Sequence, residues 1–375
     1  MRATIHKKDL ENAISIASNA ISQKSPLPIL SHFLINAETG RLKVSATDLE
    51  LGIECVTDAQ VIEEGSFTTP ADKFKDIVKL LPDEDLSLQK DGEELEVKCS
   101  SSNYRFMTLP PDEFPLIPRF DEKPDIVISQ RNLKETIRSV IFATASKEET
   151  RAVLTGVLVI VKGNTADFIA TDGRRLAMMK EDIERDSPKE LKFVIPGHTL
   201  SEISKFLKDT DDKVRIGVKS GQVFFDTGSV FILSRILEGK FPQFEQVIPE
   251  RSSKKITISR QKFLSAMRRT LIMAQEKNNP FLVKTFIKSD RLILKANTPD
   301  VGSAYEEVPC SLEGDEVEIA FNGQYFLDVL ATLQDETVIF EVSNNESPGV
   351  IKPKGKDKYL YVVMPVRIKE EAAVE

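Results

Sequence analysis

Apolar residues along the chain follow two different periods. Leu133, Ile137, Val140 and Ile141 recur at helical spacing, and Thr144 continues that face with a methyl group. Leu200, Ile203, Phe206 and Leu207 mark a shorter helix. Elsewhere the period is two. The stretch "RLKVSATDLELGI" places Leu42 and Val44, then Leu49, Leu51 and Ile53, on alternate positions. "RLILKAN", "ETVIFEVS" and "SVFILSRIL" are short and rich in strand formers, and Asp91-Gly92 is a turn signal between such runs. The pattern predicts an α+β fold in which antiparallel sheets carry packed helices.

The pattern also repeats. "TDLELGI" begins at Thr47, "TDGRRLA" at Thr171 and "TPDVGSA" at Thr298. Helical segments recur in step: "ADKFKDIVKLL" from Ala71, "GHTLSEISKFL" from Gly197 and "GQYFLDVLATL" from Gly323. A third, looser series is "KKDLENAISIASNAI" from Lys7, "QRNLKETIRSVIFAT" from Gln130 and "RQKFLSAMRRTLIMA" from Arg260. One period of about 125 residues accounts for all 375, and it is too long for a solenoid repeat. Three similar domains are expected, over 1–122, 123–250 and 251–375, each with two helices on antiparallel sheet. The proline- and charge-rich stretches Leu109 to Asp125 and Glu238 to Lys255 suit extended connectors, and Phe114-Pro115 recurs as Phe241-Pro242.

Charge changes the picture. The chain carries a net −8, which by itself argues against nucleic acid. Yet six helical windows (7–24, 71–81, 130–144, 199–209, 260–274 and 323–334) hold 15 Lys and Arg against 8 Asp and Glu. The helices are basic and the remainder acidic. Arg131, Lys134 and Arg138 line one face of their helix, and only the last window has no basic residue. Basic residues gathered on one surface attract phosphates without reading sequence. No apolar run approaches the length of a membrane span, and the N-terminus lacks the apolar core of a signal peptide. Three distant cysteines suit reduced thiols, so a cytoplasmic protein is expected.

Little in the sequence points to catalysis. It has neither of the glycine-rich nucleotide-binding motifs and no nucleophile elbow, and His6, His32 and His198 stand at no metal-like spacing. No cofactor or metal is expected. Paired acids such as Asp211-Asp212 lie in polar, turn-like stretches, and the alternating lysines of "KPKGKDK" read as an exposed loop or strand edge, with a phosphate contact as a second reading. "ATDGRRLA" reads first as a hairpin: Asp172-Gly173 joins two β-like runs, and glycine tolerates the positive φ such turns need. Arg174 and Arg175, displayed beside neighbouring strands, then suit recognition better than acid–base work.

At this point a family resemblance enters. "LPILSHFLI", "ATDGRRLA", "FPQFEQVIP", "FNGQYFLDVL" and "YVVMPVR" are similar, in order and spacing, to segments of the bacterial DNA polymerase III β sliding clamps. The resemblance implies a head-to-tail homodimeric ring, helices around a central hole and sheets outside. Duplex DNA would pass through the hole without sequence-specific contacts, tethering the polymerase for processivity in DNA replication. It also implies a cleft for short linear motifs of the replicative polymerase, clamp loader and repair proteins. That cleft would use Leu154, Thr171, Gly173, Arg174, Arg175, Leu176, Pro242, Val247, Asn322, Tyr325, Val362, Met364, Pro365, Val366 and Arg367. DNA-facing positions would include Lys24, Lys73, Arg131, Lys134, Arg138, Lys147 and Arg151. Ring closure would bring Tyr104, Arg105 and Phe106, on an edge strand, against Ile272 and Met273 of a second copy.

Two departures stand out. Arg174 occupies a place where the family usually has histidine, and "IKEEAAVE" extends beyond the usual end. Two rival readings are a nuclease or hydrolase using Asp172 and Arg175, and a protein-binding scaffold that never meets DNA.

Overall fold

The computed structural model describes residues 1–375 except 23–25, 120–122, 147, 186–188, 275–280, 300 and 368–375. Lys24, Lys147 and the segment after Arg367 therefore lie outside the described residues. Among those residues are six α-helices: α1 (Lys7–Ala17), α2 (Ala71–Leu80), α3 (Gln130–Val140), α4 (Gly197–Phe206), α5 (Arg260–Ile272) and α6 (Gly323–Thr332). They fall within the six helical windows, two per repeat.

The chain forms two compact units. The first comprises Met1–Leu133, Ile183–Ser187 and His198–Ile236. Its five-stranded sheet runs β5 (Gln60–Glu63), β1 (Arg2–His6), β7 (Asp85–Asp91), β8 (Glu94–Cys99), β9 (Ser102–Met107). Its eight-stranded sheet runs β10 (Ile126–Ser129), β15 (Lys213–Lys219), β16 (Gln222–Asp226), β17 (Val230–Arg235), β4 (Leu51–Asp58), β3 (Arg41–Thr47), β2 (His32–Glu38), β6 (Gly65–Pro70). Phe33, Phe67 and Phe74 are fully buried between these sheets and helices α1 and α2. Apolar alternation in the strands puts those side chains on the covered face.

The second unit comprises Lys134–Asp182, Pro188–Gly197 and Leu237–Glu375. It holds one twelve-stranded sheet: β14 (Leu191–Pro196), β11 (Gly156–Lys162), β12 (Thr165–Thr171), β13 (Arg175–Asp182), β25 (Tyr359–Val363), β24 (Gly349–Pro353), β23 (Thr337–Val342), β18 (Lys254–Ser259), β21 (Gly302–Glu313), β20 (Arg291–Thr298), β19 (Leu282–Ile287), β22 (Val317–Asn322). Helices α5 and α6 pack together beneath it. Phe263, Phe321, Phe326 and Phe340 form an aromatic core there, with ring centroids 5.1 to 5.8 Å apart.

Sheets, not connectors, join the repeats. Strand β17 of the second repeat pairs with β4 of the first, and β25 of the third pairs with β13 of the second. All pairings in both units are antiparallel, as the alternation predicts.

One expectation needs correction. The alternation read through Leu49 breaks: β3 ends at Thr47, β4 begins at Leu51, and Leu49 sits in the turn between them. Leu49 has φ 77° and is 48% exposed, so it belongs to no strand face. A leucine in the left-handed region costs about 1–2 kcal/mol, partly offset by the extra entropy glycine loses on folding. Leu49→Gly is thus expected to stabilise the chain by up to about 1 kcal/mol, read as a higher urea midpoint with unchanged slope.

Candidate functional site

The turn "TDGRR" is a hairpin connection, as its sequence signals. Gly173 takes φ 85° between β12 and β13. Thr171 Oγ1 donates to the Arg175 carbonyl at 2.6 Å and accepts from Gly173 N at 3.1 Å. Asp172 Oδ1 accepts from the backbone N–H groups of Arg174 and Arg175 at 2.9 and 3.0 Å. Threonine and aspartate therefore tie the loop internally, a structural use that leaves neither free for acid–base work.

Arg175 turns inward from this loop; its side chain is 12% exposed. Nε donates to Asp172 Oδ2 at 3.0 Å, Nη2 donates to the Phe142 carbonyl at 2.7 Å, and Nη1 pairs with Asp328 Oδ2. The guanidinium also lies 4.5 Å from the Tyr325 ring centroid. Burial works against its charge, but Tyr361, Asp328 and Asp172 outweigh burial and raise its pKa above the ordinary arginine value. Tyr361, buried behind it, donates its hydroxyl to the Tyr325 carbonyl at 3.0 Å.

The other expected cleft residues gather around this hub. Leu154, Leu176 and Val362 belong to one buried apolar cluster with Phe241 and Phe244. Pro242 precedes the short turn Phe244–Val247, whose Val247 is 39% exposed. Val362 and Val363 pair with Leu176 and Arg175 across the β13–β25 ladder. Beyond that ladder, Met364 N donates to the Arg174 carbonyl at 2.9 Å and Val366 N to the Ala320 carbonyl at 2.8 Å. The segment Met364 to Arg367 thus spans from the hairpin to β22, with Met364 38% exposed. Asn322 has a structural role: its side chain caps α6 by accepting from Gln324 N at 2.9 Å. The result is an apolar floor, two exposed apolar side chains and an arginine rim.

Asp328, Phe142 and Tyr361 escaped sequence reasoning. Asp328 left a signal, as the single charged residue in the window 323–334. Arg151, read as DNA-facing, carries its Nη2 to 3.7 Å from where a Gly173 Cβ would stand, which puts it beside this hairpin.

The basic helical faces are less free than the count implies. Arg131, Lys134 and Arg138 are exposed on α3 and Lys73 on α2, as expected. However, Arg131 is held by Asp209 at 2.6 Å and by Asp211 at 3.2 Å. Arg260 turns back to the carbonyls of Leu330 and Asp335, and Arg269 makes a two-pronged pair with Glu306. In the first unit a groove of about 530 Å³ lies between α1, α2 and the end of α4. It is lined by Lys75, Lys205 and Lys208 with Asn12, Asn19 and Gln130 among others and, among the described residues, by no carboxylate, although Lys205 pairs with Glu202 at 2.5 Å. In the "KPKGKDK" stretch, Lys352, Lys356 and Lys358 pair with Glu341, Asp335 and Asp182 at 3.2, 2.6 and 2.6 Å, which favours the exposed-loop reading over a phosphate contact.

Tyr104, Arg105 and Phe106 do lie on an edge strand, since β9 ends the five-stranded sheet and, among the described residues, pairs with β8 alone. Ile272, at the end of α5, is 67% exposed, with Met273 half-buried beside it. Among the described residues no group of three or more His, Cys, Asp or Glu side chains could hold a metal ion, and no helix is long and apolar enough to cross a membrane.

Comparison with known proteins agrees with this architecture. Family models described as the N-terminal, central and C-terminal domains of the DNA polymerase III beta subunit match residues 1–118, 127–243 and 245–367. The beta sliding clamp of Synechococcus elongatus is 32% identical over 375 residues, covering 98% of this chain and all of that protein. A crystal structure of the DNA polymerase sliding clamp from Pseudomonas aeruginosa has a TM-score of 0.91 at 30% identity, covering 98% of this chain and 100% of that one. The DNA polymerase III beta subunit of Thermotoga maritima has a TM-score of 0.89 at 31% identity with the same coverage. Three helix-backed repeats joined through their sheets define a DNA clamp. The chain belongs to the DNA polymerase III beta-subunit family and acts in DNA replication as a sliding clamp for that polymerase.

Proposed function

We propose that two copies of the chain close head to tail into a ring around duplex DNA, without sequence specificity and without catalysis of their own. Domain boundaries fall at 122/123 and 250/251. The ring works in the cytoplasm, and a separate loader supplies the energy for opening. Two open strand edges carry this reading. One is β9, with Met107 61% exposed. The other is the stretch of β21 from Gly302 to Pro309, which pairs with β20 on one side and, among the described residues, has no strand on the other. Val301, Tyr305 and Ile272 are exposed near that second edge. Unpaired edges flanked by apolar side chains invite pairing between copies, and head-to-tail pairing closes a ring. Lys73, Lys134, Arg138 and, in the α1–α2–α4 groove, Lys75 and Lys208 supply mobile, non-specific phosphate contacts.

The cleft around Arg175 docks short linear segments of the replicative polymerase, the clamp loader and repair proteins. Its support is the exposed pair Met364 and Val247 above a buried Leu154–Leu176–Val362 floor. Met suits a surface that accepts several partners. Arg174, exposed on the rim, favours segments with acidic residues.

Retention on DNA tests the ring. After loading by a cognate loader, the chain is expected to stay on circular duplex and to leave within seconds when the circle is cut. Equal retention on circular and linear duplex would mean that direct contacts hold the DNA, and the ring would have to be abandoned.

A further inference from the structure

The hairpin that rims the docking cleft has a near-copy in the first repeat. Thr47 Oγ1 donates to the Leu51 carbonyl at 3.0 Å and accepts from Leu49 N at 3.0 Å. Asp48 Oδ1 accepts from Glu50 N at 3.0 Å and from Leu51 N at 2.7 Å. These are the bonds that Thr171 and Asp172 make. The copy extends to the neighbouring strand: Arg235 N donates to the Glu50 carbonyl at 3.0 Å, as Met364 N does to Arg174. Leu51 pairs with Ser234 as Arg175 pairs with Val363. The short turn Pro28–Ser31 stands for Ala152–Thr155, and buried Phe114 for buried Phe241.

What differs is the surface. Gly52 replaces Leu176, and the space is taken by Ile117, whose side chain lies 3.2 Å from where a Gly52 Cβ would stand. Ile117 packs in turn on Phe224, Phe231 and Leu233. Next to it Leu116 is 95% exposed. Leu49 is 48% exposed in a backbone conformation that glycine occupies in the sister hairpin. Leucine is a poor structural choice there, and an outlier of this kind points to use rather than to stability. The rim charge is also reversed. Exposed Glu50 stands for Arg174, and exposed Asp112 and Glu113 immediately precede Phe114. Arg119 is committed to Glu54 at 2.6 Å, and Arg235 on the neighbouring strand is exposed.

We propose that Leu49, Leu116 and the Glu50 rim form a second docking surface, for short segments that present an apolar side chain beside lysine or arginine. It rests on the docking reading of the first cleft, whose hairpin it repeats. The two surfaces then sort partners by charge, acidic segments to Arg174 and basic ones to Glu50.

Anisotropy of two fluorescein-labelled octapeptides on the full chain tests this, one alternating leucine with arginine, the other leucine with glutamate. The arginine probe is expected to lose at least about fivefold in affinity, roughly one anchor contact, in Leu49→Gly/Leu116→Ser and in Glu50→Arg. Met364→Ala should leave it unchanged. The glutamate probe should show the opposite response. Leu49→Gly suits the turn, and the single substitution Glu50→Arg on the surface gives an independent reading. An arginine probe indifferent to Leu49, Leu116 and Glu50 would mean that diffuse negative charge holds it, and the second surface would fall. A glutamate probe indifferent to Met364, with the arginine probe responding as expected, would instead sink the first cleft and leave the second standing.

Discussion

Replacing Arg175 by alanine is expected to cost the chain about 3 kcal/mol of stability and to abolish docking at the cleft. The guanidinium satisfies Asp172, Asp328 and the Phe142 carbonyl at once while stacking on Tyr325. Its removal strands two carboxylates whose side chains are only 17% and 25% exposed. Both retain some water, which keeps the cost near the low end for a broken buried pair. The Asp172 loop, the α6 residue Tyr325 and the Phe142 turn would then lose their common anchor. Urea unfolding measures the first effect. Arg175→Met combined with Asp172→Asn and Asp328→Asn separates the causes, because it leaves no charge uncompensated. That triple variant should recover much of the stability but none of the docking. A triple variant as unstable as Arg175→Ala would show that packing of the long side chain, not its charge, supplies the stability.

Glu181 gives the second large effect, with a definite dependence on pH. It lies on β13, is 4% exposed, and accepts from Thr136 Oγ1 of α3 at 3.2 Å. Burial pushes its carboxyl up to about 7. Lys358 and the Thr136 hydrogen bond work against that rise, and Glu135 and Asp182 add to it. The folded state therefore holds a proton that the unfolded chain releases near pH 4.5. This group's contribution to stability is fully present below pH 4.5, is lost as pH rises to about 7, and changes no further above that. The loss amounts to about 3 kcal/mol. Glu181→Gln keeps the shape and the bond from Thr136 without the charge. It should match the parent chain at pH 4.5 and exceed it by about 3 kcal/mol at pH 8. Unfolding curves at both pH values check this; a difference that does not change with pH would exclude burial of the charge as its cause.

Periodicity made the fold legible because each helix and strand buries one face. The apolar positions Leu133, Ile137 and Val140, and Leu200 and Ile203, are buried where the helical spacing puts them. The repeat distance then gave three copies of one unit. Leu49 misled because a turn residue happened to keep the strand phase, and a single leucine in the left-handed region leaves no mark in sequence. The hairpin at Gly173 was legible because its chemistry is local. The hub around Arg175 was not, because it is made over long distances: Asp328 is 153 residues away along the chain and Phe142 contributes only a carbonyl. Helix charge was legible as a bias. Its use was not, since Asp209, Glu306 and the end of α6 claim Arg131, Arg269 and Arg260.

The ladders β4–β17 and β13–β25 place both joints between repeats in the backbone. Each pairs five residues on either strand, and peptide N–H and carbonyl groups are common to nearly every amino acid. The hydrogen bonds of such a seam accept any residue that stays extended, so what sequence drift can damage there is the packing of buried ladder residues such as Ile53, Leu176 and Val362.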